Sequence, residues 1–107
     1  METSQTVTNS RRRARAGRPA CAEIALHGVA DIFAADALKS AALEALADSK
    51  AGAVCVDLGQ TERLDTSALQ ILVQLRNECM AHGRSFETHF GENGALAERL
   101  GAFGLGM

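Results

Sequence analysis

From Ala53 to Leu75 the chain reads AVCVDLGQTERLDTSALQILVQL: an apolar run, an acidic turn, then Asp65-Thr66-Ser67 at the head of an amphipathic stretch. Ala53 to Leu58 is almost continuously apolar and opens after Gly52, which predicts a central strand buried on both faces. Ala68, Leu72, Leu75 and Cys79 then recur at helical spacing, reinforced by Leu69, Ile71 and Met80. Gln70, Gln74, Asn77 and Glu78 supply the wet side. This helix is expected to begin near Asp65 or Thr66 and run to about His82, with Gly83 as its stop.

The flanks alternate in the same way. Cys21 to Leu26 reads as a short strand ending in a turn at His27-Gly28. From Ala34 the period changes, and Leu38, Ala41, Ala42, Ala45 and Leu46 make one helical face, with Lys39, Glu44 and Asp48 turned to water. Ser85 to Phe90 sends Phe86, Thr88 and Phe90 to one side and Glu87 and His89 to the other. Asn93 can cap a short helix that carries Leu96 and Leu100 and ends at Gly101, after which Phe103 and Leu105 are expected to dock on the core. Strand and helix in alternation predict an α/β domain over residues 20–107, with helices covering a largely parallel sheet.

Composition bounds the function. A chain of 107 residues, 47% apolar, supports one domain with a modest core. It holds no run of about 18 apolar residues, and the N-terminus lacks the apolar centre of a secretory signal, so no membrane insertion is expected. Residues 1–20 carry five arginines against Glu2, a net +4, whereas residues 21–107 carry six cationic and twelve acidic side chains, a net −6. Met1 to Pro19 offers too little apolar surface to offset ordering entropy and is expected to be a disordered basic tail; an electrostatic arm is the alternative. The acidic body, without Trp or Tyr, argues against nucleic-acid binding and for a protein partner. Cys21, Cys55 and Cys79 have no CxxC spacing, and an odd number of thiols in apolar surroundings fits a reducing cytoplasm better than a disulfide framework.

The hydroxyls of Thr66 and Ser67 beside the Asp65 carboxylate admit two readings. One is helix capping, with Asp65 accepting from a backbone N–H two or three residues on, for about 1 kcal/mol. The other is a phosphorylation switch on an exposed first turn, near Asp57, Glu62 and Asp65. Neither makes a catalytic site. Cys79, His82 and His89 are too few for a structural zinc site, and Cys79 continues the apolar stripe as a core thiol. His27 reads as a surface side chain, and Asp57 with Asp65 as acidic loop lining rather than a magnesium pair. No catalytic residue, metal or cofactor is expected, so the chain reads as non-enzymatic.

Four segments together resemble the STAS domain, the fold of bacterial anti-sigma factor antagonists. Gly28-Val29-Ala30-Asp31 resembles the family's Gly-x-x-Asp turn, and Val54 to Leu58 its central strand. Leu64-Asp65-Thr66-Ser67-Ala68-Leu69 resembles its Asp-Ser-Ser-Gly-Leu helix start, and Leu100 to Leu105 its closing Leu-x-x-x-Gly-Leu. The resemblance implies a mixed, mostly parallel sheet of about four strands. It implies a partner switch through Asp31, Asp57, Asp65, Thr66 and Ser67, with phosphorylation at Thr66 by a partner that is both serine kinase and anti-sigma factor. Thr replaces the usual Ser, and Ala68 the usual Gly. That start is more similar to the cytoplasmic STAS subunit of the phospholipid-transport ABC complex, docked on its ATPase, or to STAS proteins of chemotaxis-type signalling clusters. The family's first strand has no counterpart visible before Cys21.

Overall fold

The computed structural model describes residues 6–12, 20–48 and 51–105. Strands β1 (Val7–Arg12), β2 (Cys21–Ala30), β3 (Ala53–Leu64) and β4 (Ser85–His89) form one sheet in the order β1-β2-β3-β4. β1 runs antiparallel to β2, while β2, β3 and β4 are parallel. Helices α1 (Ile32–Ala47) and α2 (Thr66–Ala81) make the two crossovers, and α3 (Gly94–Gly101) follows β4. Crossovers between parallel strands are nearly always right-handed, so two that step the same way along a sheet place their helices on the same face.

The core follows that geometry. Ala22, Ile24 and Leu26 from β2 and Val54, Val56 and Leu58 from β3 point to the helices. They meet Leu38, Ala41, Ala42 and Ala45 of α1, Ala68, Leu72, Leu75 and Cys79 of α2, and Leu96 and Leu100 of α3. The expected helical faces are therefore the buried ones, except that Met80, read as part of the α2 face, projects from it at 67% exposure. The helices cover one side only, so β3 is not wrapped as predicted: Ala53 and Cys55 are buried on the far side with Cys21, but Asp57 is exposed.

Three expectations are corrected. The basic segment read as a disordered tail supplies the edge strand β1, whose backbone pairs Val7 with Leu26 through to Arg12 with Cys21. Asn9 adds a side-chain bond from its Nδ2 to the Ala41 carbonyl at 3.2 Å. The rest of that expectation falls on residues 1–5 and 13–19, outside the described residues. Next, β2 does not stop at His27-Gly28, nor β3 at Leu58. Both continue through register shifts between Ala25 and His27 and between Gly28 and Val29. The acidic "turn" is strand, and Thr61 within it is buried, donating to the Leu26 carbonyl at 3.2 Å. Finally, Cys21 and Cys55 are joined as a disulfide across β2 and β3, leaving Cys79 as the free thiol among the cysteines.

The C-terminal segment docks through Leu105, while Phe103 stays half exposed. Thr88 Oγ1 donates to the Leu105 carbonyl at 2.6 Å, and an Arg76 guanidinium nitrogen donates to the Phe103 carbonyl at 3.0 Å. Gly104 holds the turn between them at φ +76°, where an added Cβ would collide with Arg76. Gly104→Ala is expected to destabilise the domain by about 1–2 kcal/mol, from left-handed strain plus loss of the Arg76 bond. Urea denaturation of the two proteins checks this.

Candidate functional site

The register that pairs Ala30 with Leu64 ends β2 and β3 side by side, so α1 and α2 start together at one edge of the sheet. The Asp65 amide donates to the Ala30 carbonyl at 2.8 Å and ties the two junctions. Each helix start carries an aspartate cap. Asp31 Oδ1 accepts from the amides of Phe33 at 3.0 Å and Ala34 at 3.2 Å. Asp65 Oδ1 accepts from Thr66 at 2.7 Å, the first amide of the helix rather than the second or third as expected.

Between the two starts runs an open groove lined by Val29, Asp31, Arg63, Leu64, Asp65, Thr66 and Arg99. Thr66 is exposed on it. Ser67 is not its equal: it is half-buried, and its Oγ is shut off from solvent without a hydrogen-bond partner. Asp57 does not join the group. It lines a separate hollow on the bare face of the sheet with Ser10, Glu23, Cys55 and His89. At about 3.3 Å per strand residue, roughly 25 Å of β3 separates it from the helix start. Its Oδ1 accepts from the Gly59 amide at 2.9 Å.

The groove is therefore not the acidic loop expected from the sequence. Two carboxylates, Asp31 and Asp65, face two guanidiniums, Arg63 and Arg99. Arg99 arrives from α3, a neighbour that only the folded topology reveals. Exposed apolar residues adjoin the site as well: Val29 at 41%, Ile32 at 64% and Phe33 at 89% exposure. A ring so bare, beside two other uncovered aliphatics, marks surface that something else can cover. Ile32 and Phe33 lie outside the Ala34–Leu38–Ala41 stripe, and that off-phase pair was the available sequence signal.

The other weighed groupings come apart. Cys79 lies in the helix-side core, where burial pushes its thiol pKa up, Arg84 pulls it down and Glu78 adds to the rise. His82 sits at the end of α2 with Nδ1 2.9 Å from the Glu78 carbonyl, and His89 lies on the opposite side of the sheet. Asp57 and Asp65 are too far apart for one cation. Among the described residues, no helix is long and apolar enough to cross a membrane.

A four-stranded mixed sheet with helices on one side, and a hydroxyl presented at a capped helix start, define a STAS-type α/β domain. A family model described as "Mlab, STAS domain" matches residues 14–107, and the chain belongs to the STAS domain family. The phosphorylated form of the Bacillus cell-fate determinant SpoIIAA matches at TM-score 0.67 and 12% identity, over 92% of this chain and 85% of that one. The unphosphorylated form of the anti-sigma factor antagonist SpoIIAA matches at 0.58 and 12%, over 76% and 71%. An anti-sigma factor antagonist from Mycobacterium paratuberculosis matches at 0.62 and 23%, over 82% and 70%. Mglu matches at 0.57 and 19%, over 67% of this chain but 18% of its own length. These identities speak for a shared fold. No curated protein sequence matches the chain.

Proposed function

We propose that this chain is a non-enzymatic regulatory module that docks a protein partner along the edge where α1 and α2 begin, and that phosphorylation of Thr66 switches docking off. The observation carrying this reading is the exposed Thr66 hydroxyl in a charge-balanced groove flanked by uncovered Val29, Ile32 and Phe33. A phosphoryl group adds about −1.5 to −2 charge and three acceptor oxygens. Beside Arg63 and Arg99 it would occupy the cations a partner's acidic rim would otherwise meet, and it adds bulk where the surfaces close. SpoIIAA, whose fold this chain shares, has been solved with and without its phosphate. The favoured partner class is an anti-sigma factor that is also a serine kinase, which makes the chain an anti-sigma factor antagonist-like component in the cytoplasm.

A second reading has its own support. The family description names Mlab, and the helix start carries Thr rather than Ser. In that case the chain is a STAS accessory subunit docked on the ATPase of an ABC phospholipid transporter, with Thr66 at the interface and no phosphate required.

Intact mass after incubation with host lysate and ATP tests the switch: one added phosphoryl group, lost in Thr66→Ala, supports it, and an unchanged mass counts against it. The identity of the captured partner, anti-sigma kinase or ABC ATPase, separates the two readings. In either, Phe33→Ala should lower partner affinity roughly 30-fold, the size of an aromatic interface anchor near 2 kcal/mol. The melting temperature should hold, since Phe33 takes no part in the core. Titration calorimetry and thermal melting read the two effects separately.

A further inference from the structure

Strand β4 is the last of the sheet, with no neighbour beyond it among the described residues. The Ser85 amide donates to the Gly52 carbonyl at 3.1 Å, and the register runs from Ala53 with Ser85 to Asp57 with His89. In a parallel pair alternate residues turn their main chain to the partner, so Ser85, Glu87 and His89 bond toward β3. Phe86 and Thr88 therefore hold two N–H and two C=O groups toward the open side, where no main-chain bond to a described residue meets them. Vacant groups in such a row can receive an added strand.

The side chains beside this edge select what is added. A groove along it is lined by Arg76, Met80, Arg84, Phe86, Thr88 and Leu105, among others. Arg84, Phe86 and Thr88 alternate onto one side of the strand. Thr88 holds the Leu105 carbonyl and Arg76 the Phe103 carbonyl, so Arg76 stands at the Thr88 end. The order along the edge is thus cation, aromatic ring, cation. The two guanidiniums donate to the carbonyls of Ala45 and Phe103 and to the Asn77 amide oxygen. Neither reaches a carboxylate among the described residues, and Arg76 Nε is shut off from solvent with no acceptor. On a body that is net −6 over residues 21–107, two uncompensated cations favour an acidic occupant. A second copy paired β4 to β4 would set its own arginines against these.

We propose that the open edge of β4 takes up an extended acidic segment of another protein as an antiparallel fifth strand, read as acid, apolar, acid at every second residue. The apolar residue lies opposite Phe86, exchanges both main-chain bonds with it and packs beside the exposed Met80. One acid falls opposite Arg84, and the other opposite Thr88, within the field of Arg76. Main-chain pairing supplies affinity, and the two cations supply the choice of sequence. This surface shares no residue with the groove around Thr66 and stands whether or not that hydroxyl is a switch.

The probe is a peptide capped at both ends, Thr-Glu-Thr-Val-Thr-Glu-Thr, titrated into the isotope-labelled full chain and followed by amide NMR. Its side-chain order is the same in either direction. One peptide per chain is expected, with shifts centred on Ser85 to His89. Exchange of the Phe86 and Thr88 amides should slow by at least about tenfold at saturation. Lysine in place of both glutamates should weaken binding at least about tenfold, because attraction to Arg76 and Arg84 becomes repulsion. N-methylation of the valine, which removes the donor facing Phe86, should weaken it by at least about as much. Only the peptide is altered, so the protein is the same in every arm. The absence of localised shifts at millimolar peptide, or equal binding of the lysine or the N-methylated peptide, would overturn the proposal. So would concentration-dependent protection of Phe86 and Thr88 in the chain alone, which would give the edge to a second copy.

Discussion

Replacing Thr66 by glutamate should weaken partner binding by at least about tenfold while leaving the domain as stable as before, or slightly more so. A carboxylate at the first helical position faces the positive end of the α2 dipole, which stabilises the folded state by about 0.3–1 kcal/mol. Stability and affinity are thus pushed in opposite directions, and misfolding cannot imitate the result. Glutamate supplies one charge where phosphate supplies nearly two, so it should reproduce only part of the switch. Moving a complex from almost fully formed to almost fully dissociated takes about 5.5 kcal/mol of differential affinity. Calorimetric titration of Thr66→Glu and Thr66→Val against the captured partner checks this. The valine variant keeps the shape without the charge and should bind close to the parent. Equal affinity of the glutamate variant and the parent would remove charge as the gate.

Leu72→Ala should cost about 2–5 kcal/mol of folding stability, the range for emptying a fully enclosed leucine site. Leu72 is 0% exposed at the centre of α2 and belongs to the cluster joining sheet and helices. At about 4–8 °C per kcal/mol for a domain near this size, the melting temperature should fall by at least roughly 10 °C. Met80, on the same helix at 67% exposure, gives the internal contrast. Met80→Ala should stay within about 0.5 kcal/mol. Thermal melts of the pair decide whether the stripe read from the sequence is the face that holds α2 to the sheet.

The helical faces were legible because their signal is internal to each segment. Leu38, Ala41, Ala42 and Ala45 on α1, and Ala68, Leu72, Leu75 and Cys79 on α2, needed only a period. Asn93 and Gly83 were equally local signals, one accepting from the Leu96 amide and the other turning at φ +71° after α2. The strands were truncated in the sequence reading because bulges interrupt their alternation just where Gly28 and Gly59 suggest turns. β1 was missed for a different reason. Val7 to Arg12 is held by backbone pairing to β2, and a polar edge strand leaves no apolar alternation to detect.

The docking edge was half visible. Asp31, Asp65 and Thr66 announced themselves as helix starts, and Asp57 was grouped with them by closeness in sequence. A strand that runs on to Leu64 carries Asp57 away and flips it to the other face. Arg99 and the Cys21–Cys55 pairing depend on which strands and helices become neighbours. No local pattern encodes that.

The arginine-bearing segment has a bearing on how the protein is kept from associating with itself. It occupies the outer rim of β2 over six residue pairs. A shortened chain lacking that segment would present a long row of vacant amides and carbonyls, an open template onto which a second molecule could add its own strand. Arg11 and Arg12 help cover that rim by pairing their main chain with Ala22 and Cys21.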